Sequence, residues 1–254
     1  ELRREGFLAE GEELMDALRD PLFLKRRPIT KELDDIPDAE LTKGEKEVRD
    51  LAEGKQDIET GETAEFFEKK GFEPSQRQLM QGLAQVGYQD MTVLEVGSGV
   101  GHVHQTMLEL GAVSAVGIDL APEMIKEAEV WAEDRGLTDR VQYLVGDFIH
   151  QTGEIETAGV CVMDKVVCCY PDAEGLVKAT LAKTVKIYAL TYPRKTWYVR
   201  LAIGLGALLL KLIRSDFRPY VHDPELIEQW IIDQGYTKAY QARTFVWLTQ
   251  VYSC

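Results

Sequence analysis

The chain has 254 residues, 45% of them hydrophobic, and carries a formal net charge of −14, which suits one substantial core with room for an appendage. The charge is uneven: residues 1–90 hold 23 acids and 14 bases, residues 91–190 hold 15 and 7, and residues 191–254 hold 5 and 8. An acidic body argues against nucleic acid as a partner, because phosphate binding needs a basic face.

Residues 1–60 read as an N-terminal helical or irregular extension. In "EGFLAEGEELMDALRD", Phe7, Leu8, Leu14, Met15 and Leu18 fall near helical spacing and predict a short helix. Pro21, Pro28 and Pro37 then break the pattern, and the stretch that follows is charge-rich and poor in large apolar residues. Residues 61–254 read as the main domain. An amphipathic pattern runs through Phe66, Phe67, Leu79, Met80, Leu83 and Val86.

From residue 91, strands and helices alternate. "MTVLEVG", "VSAVGID", "VQYLVGD" and "AGVCVMD" predict four strands. The helices between them begin at "GHVHQTMLELG" and "APEMIKEAEVWAEDRG", the second with Pro122 in its first turn. "DAEGLVKATLAK" predicts a helix, "VKIYALTY" a fifth strand, "DPELIEQWIIDQGY" a helix, and "KAYQARTF" and "VWLTQVYSC" two closing strands. This order implies an α/β, doubly wound and mostly parallel sheet with right-handed crossovers. Ligands of such sheets sit beyond the C-terminal strand ends, at the switch point.

"LEVGSGVGHVH" lies at that place. A dinucleotide fingerprint would put a third glycine at 102, where His102 stands, and this weakens a nicotinamide reading. Glu95, two residues before Gly97, would repel a pyrophosphate and welcome a cation. S-adenosylmethionine carries an ammonium and a sulfonium and has no phosphate. Asp119 ends the second strand and can accept both ribose hydroxyls. Asp147 ends the third and can accept from an adenine amino group. Phe148 and Met124 are expected to pack on the two faces of that ring.

"VLEVGSGVG", "VGIDLAPEMIKEA" and "VQYLVGDF" resemble, in order, the motifs of class I S-adenosylmethionine-dependent methyltransferases. The resemblance covers roughly residues 60–254 and implies a seven-stranded Rossmann-like sheet with an antiparallel last strand. The expected cofactor set is Glu95, Gly97, Ser98, Gly99, Gly101, Asp119, Leu120, Met124, Asp147, Phe148 and Asp164, of which Glu95, Gly97, Gly99, Asp119, Asp147 and Phe148 match that family's usual pattern. "YPRKTWYVRL", "SDFRPYVHDPELI" and the "CCYPD" loop are similar to a group of bacterial methyltransferases, and more distantly to magnesium-protoporphyrin O-methyltransferases.

The acceptor side is sought in "MDKVVCCYPD" and in the insertion at 196–222. Asp164, Tyr170 and His222 are the candidate catalytic residues, with Arg194 to position the acceptor and Arg200 or Arg218 to meet an anionic group. A thiol of Cys168 or Cys169 is expected either to touch substrate or to pack in the loop. One of His102 and His104 is expected to face the pocket. The insertion contains a ten-residue apolar run, Leu201 to Leu210, too short to span a bilayer. Three readings stay open for it: a lid over an apolar or planar substrate, a peripheral membrane contact through 196–215, or a buried helix or dimer contact. The segment "FFEKKGF" is expected to close over the cofactor. No metal is expected, because neither cysteines nor histidines have ligand spacing. Four cysteines without a framework point to reduced thiols and a cytoplasmic location. The expected activity is methyl transfer to a small molecule, slightly favouring oxygen. The alternatives are a non-catalytic S-adenosylmethionine-binding regulatory or assembly subunit and a nicotinamide-dependent oxidoreductase.

Overall fold

The computed structural model describes residues 71–153, 155–201, 203 and 220–254. The extension at 1–60, the Phe66–Phe67 pair, Arg218 and most of the 196–222 insertion lie outside the described residues.

Seven strands form one sheet: β1 Thr92–Val96, β2 Ser114–Asp119, β3 Val141–Val145, β4 Ala158–Asp164, β5 Thr184–Pro193, β6 Thr237–Arg243 and β7 Trp247–Ser253. Their spatial order is β3-β2-β1-β4-β5-β7-β6. β1 to β5 run parallel to one another, and β7 runs antiparallel to both β5 and β6. The predicted mostly parallel sheet with an antiparallel last strand is therefore present. The order reverses at β1, which lies between β2 and β4, so the glycine-rich turn opens at the switch point.

The helices are α1 Pro74–Val86, α2 His102–Glu109, α3 Pro122–Asp134, the single turn α4 Phe148–Gln151, α5 Ala173–Leu181 and α6 Pro224–Ile232. Their starts follow from the sequence. Proline opens α1, α3 and α6, where its missing N–H costs nothing. Asp172 caps α5 and Asp223 caps α6 through their carboxylates. A further helical stretch begins at 197.

Period-2 alternation sorts each strand onto two cores. Val93, Val160 and Val162 face a core built with Leu79, Met80 and Leu83 of α1 and with Met107 of α2. Leu94, Val96, Cys161 and Met163 face the opposite core, with Leu176 and Val177 of α5 and Ile227 and Ile231 of α6. The same parity puts Glu95 and Asp164 on the α1–α2 side. β5 is buried throughout its last seven residues, as expected of a strand covered on both faces.

Candidate functional site

The loop from β1 to α2 is built from backbone in the left-handed region. Gly97, Gly99 and Gly101 have φ of 66°, 52° and 81°, values that carry little cost only for glycine. Gly97 and Ser98 donate their N–H groups to the Ile118 carbonyl of β2. Gly97 lies against Val166, which a Cβ at that position would strike at 2.3 Å. Gly99 is different: a Cβ there would meet nothing within 4 Å. Its backbone faces open space at the switch point, as close approach by a ligand requires. Ser98 is buried, and its hydroxyl has no hydrogen-bond partner.

Asp119 braces this loop. One oxygen accepts from Gly99 N–H at 2.8 Å, and the other from Ala121 N–H at 2.9 Å. The next residue, Leu120, is 42% exposed and offers an apolar surface beside that carboxylate. Asp147 caps α4 through Ile149 N–H at 3.0 Å and receives the Tyr170 hydroxyl at 2.9 Å. Tyr170 thus ties the loop after β4 to the tip of β3. Burial, reinforced by Asp147, pushes its phenol above the usual range.

Several expected site residues are packed wholly or partly into the protein. Glu95 is only 2% exposed and does not stand as an open carboxylate. Its Oε2 accepts both the backbone N–H of His104, at 3.0 Å, and ring Nδ1 of His104, at 2.5 Å. Burial raises its pKa, and the histidine opposes that rise. Phe148 is buried in the α5–α6 core with Leu94 and Ile118, so its ring is packed rather than presented to a ligand. Met124 packs partly against the other core from the first turn of α3. Neither His102 nor His104 opens onto a pocket: both are buried, and His102 stacks on Trp131 at 4.9 Å. For the two histidines the cause is shared: α2 packs on β1 and β2, and its first turn faces the core.

At the tip of β4, Asp164 is gripped from α1. Gln76 Nε2 donates to its Oδ2 at 3.0 Å. Its Oδ1 is sealed from solvent and lacks a well-formed hydrogen bond, with the Thr191 hydroxyl alongside. Loss of hydration raises the pKa of this carboxyl, and Lys165 and Gln76 act against the rise. Lys165 has a φ of 62°, pairs with Glu73 at 2.6 Å and lies 5.3 Å from the Trp247 ring centroid. Glu73 and Gln76 also cap α1 reciprocally. Sequence reading did not single out Glu73, Gln76 or Lys165. The available signal was "EPSQ", an acid and a glutamine three residues apart around a proline.

The loop after β4 contains a short helical turn at Val167–Cys169. Cys168 is buried and Cys169 half-buried, and both thiols reach toward the Lys165 carbonyl, at 3.1 and 3.6 Å. His222 comes back to this loop: its Nε2 lies 2.9 Å from the Tyr170 carbonyl, and Tyr220 N–H donates to the Cys168 carbonyl. A carbonyl only accepts, so His222 Nε2 carries a proton, and in the neutral ring the lone pair lies on Nδ1. Arg194 donates through Nη1 to the Thr244 and Phe245 carbonyls and the Tyr198 hydroxyl. Arg200 is exposed. Among the described residues no cluster could hold a metal ion, and no helix is long and apolar enough to cross a membrane.

Asp147, Asp119, the glycine loop and Asp164 thus follow β3, β2, β1 and β4, four neighbouring strands about 4.8 Å apart. Comparison with known proteins agrees with this arrangement. A family described as "Methyltransferase domain" matches residues 93–185. The ribosomal protein L11 methyltransferase of Pasteurella multocida is 36% identical over 77 residues, which is 30% of this chain and 26% of that protein. The magnesium protoporphyrin IX methyltransferase of Synechocystis PCC 6803, solved with S-adenosylhomocysteine, superposes with a TM-score of 0.60 at 16% identity, covering 82% of this chain and 98% of its own. An O-methyltransferase family 2 protein from Planctomyces limnophilus, in complex with apigenin, gives 0.57 at 17% identity over 80% and 64% of the two chains. The resemblance carried by the three motifs is borne out: the chain has the fold of the class I S-adenosylmethionine-dependent methyltransferases, and residues 93–185 match a methyltransferase domain family.

Proposed function

We propose that the chain transfers the methyl group of S-adenosylmethionine to a small molecule with an apolar or aromatic body, oxygen being the favoured acceptor atom. One observation carries the reading. The open backbone at Gly99 is flanked by Asp119, whose carboxylate accepts the Gly99 N–H, and by Asp164, whose buried Oδ1 lacks a well-formed hydrogen bond. These groups fit a cationic nucleoside thioether. A pyrophosphate would meet carboxylates where it needs donors.

When bound, S-adenosylmethionine supplies a methyl already activated on a sulfonium. The residues of this chain do the rest. Asp119 accepts from ribose hydroxyls, Leu120 covers an apolar ring face, and Asp147 accepts from an exocyclic amine. Asp164 receives an ammonium. The clamp of Gln76 and Glu73 holds Asp164 and its neighbour Lys165 in place, and much of the rate comes from such alignment. For a hydroxyl acceptor, His222 Nδ1 is the atom placed to take the proton, because Nε2 is fixed on the Tyr170 carbonyl. The domain boundary is read at 61, with 1–60 as an extension and 196–222 as the acceptor-side insertion.

Calorimetry with S-adenosylhomocysteine and NADH tests the cofactor. Binding of the first alone supports the reading, and binding of NADH alone overturns it. Turnover is tested with phenolic and tetrapyrrole carboxylate acceptors and with ribosomal protein L11 as a protein acceptor. Production of S-adenosylhomocysteine with a small molecule supports the proposal. Cofactor binding without turnover on any acceptor favours a non-catalytic cofactor-binding subunit.

A further inference from the structure

A chain of buried polar side chains runs under the glycine loop, and its direction can be read. Arg135 holds Glu109 through two hydrogen bonds of 2.7 and 2.6 Å and donates Nη1–H to Gln105 Oε1 at 3.1 Å. The Gln105 amide is thereby oriented: its Nε2 donates to the Ala128 carbonyl at 2.8 Å and to the Tyr143 oxygen at 2.7 Å. The Tyr143 hydroxyl accepts from Gln105 and has its own proton to give to His104 Nε2, 3.0 Å away. With that nitrogen as the acceptor, Nδ1 carries the hydrogen that meets Glu95 Oε2 at 2.5 Å. One donor at each step, from Arg135 to His104, thus points toward Glu95.

Glu95 uses the same oxygen to accept the backbone N–H of His104. That N–H belongs to the third residue of α2, one of the donors a helix start leaves unpaired. The helix begins on Gly101, which has no side chain to cap it. Glu95 supplies the cap from β1 instead. The fit around the imidazole is close. A Cβ on Gly101 would come within 2.9 Å of His104 Cε1, and one on Gly117 within 3.1 Å.

We propose that His104 is the positioning residue of the glycine loop: its ring, protonated at Nδ1 and accepting from Tyr143 at Nε2, holds Glu95 as the cap of α2. The ring does not touch a ligand. It acts by fixing the two ends of the loop, Glu95 in β1 and the first turn of α2, so that Gly99 presents its backbone. The effect on ligand affinity rests on the cofactor reading above, whereas the proton arrangement does not.

Two measurements test it on the full chain. With nitrogen-15 histidine, long-range proton–nitrogen spectra at neutral pH are expected to show His104 bearing hydrogen on Nδ1 and none on Nε2. A ring protonated at Nε2 overturns the proposal. The second measurement is S-adenosylhomocysteine affinity in variants. Tyr143→Phe removes the donor to Nε2 and is expected to weaken binding on the order of three- to tenfold. His104→Asn keeps an amide donor for Glu95 and is expected to bind more tightly than His104→Leu, which leaves that carboxylate buried without a side-chain partner. Equal affinities for the two overturn the positioning role. If His104→Leu does not fold, the spectra of the unaltered chain still decide. If the unaltered chain binds no S-adenosylhomocysteine, the cofactor reading falls while the proton arrangement is still read.

Discussion

Two glycines of one loop are constrained for different reasons, and substitution separates them. Gly97 has no room, because Val166 fills the position of its Cβ. Gly99 has room and a left-handed backbone. Gly99→Ala therefore costs only the conformational penalty, about 1–2 kcal/mol, yet its methyl occupies the space a ligand needs. Chemical denaturation is expected to show that small loss, and calorimetry a fall in S-adenosylhomocysteine affinity of at least about tenfold, or about 1.4 kcal/mol. Gly97→Ala carries the same backbone penalty plus overpacking of about 1–3 kcal/mol. Equal stability of the two variants would contradict the packing against Val166.

Asp164 shows the opposite trade at the same scale. Its pKa is raised in the folded chain by loss of hydration. A carboxyl with a raised folded pKa binds more protons folded than unfolded between the two values, so stability falls as pH rises through that interval. Its ionised form is a standing cost at neutral pH. Asp164→Asn removes the cost and leaves an oxygen for Gln76. The variant is expected to have a higher denaturation midpoint at pH 7 than the unaltered chain, with the gap closing below about pH 4. It is expected to bind S-adenosylhomocysteine more weakly. An unchanged midpoint at pH 7 would mean that this carboxylate is not held at a cost for the sake of a ligand.

Elements, rather than single residues, decide what the sequence could reveal. β1 to β5 and their helices were legible because each is a short apolar run followed by a proline, a glycine or an acid at a fixed offset. The acids Asp119 and Asp147 were legible as strand ends. What Glu95 does was not, because its partner is set by how α2 lies across β1, and periodicity fixes a face without fixing a contact. The grip of α1 on β4 was invisible for a related reason: Gln76 and Asp164 are 88 residues apart. Arg194 looked free in sequence, but the β6–β7 turn it bonds returns fifty residues later. α1 nevertheless announces its importance through Leu79, Met80 and Leu83, all fully buried. Leu79→Ala is expected to cost about 2–5 kcal/mol in denaturation. Glu73→Ala, which removes half of the reciprocal cap and the ion pair with Lys165, is expected to cost about 1 kcal/mol. It should also loosen cofactor binding, which Leu79→Ala should do only as far as it unfolds the chain.

For the whole molecule, the site is where distant stretches meet. The loops after β1, β2, β3 and β4, the start of α1 and the return at 220–222 are joined by the bonds of Asp119, Tyr170, Gln76 and His222. A ligand that contacts several of these loops ties together segments spread over most of the described chain, so its binding energy acts on the global unfolding equilibrium. At a hundredfold excess over Kd, one site adds about 2.7 kcal/mol. For a domain of this size that raises Tm by about 5–10 °C. S-adenosylhomocysteine is expected to give a shift of that order. 5′-Methylthioadenosine, which reaches Asp119 and Asp147 but has no ammonium for Asp164, is expected to give a smaller shift at the same concentration. In Asp164→Asn the two ligands should converge, because the group that tells them apart is gone. If they stay as far apart in the variant as in the unaltered chain, the ammonium is held elsewhere, and the carboxylate at the tip of β4 serves another purpose.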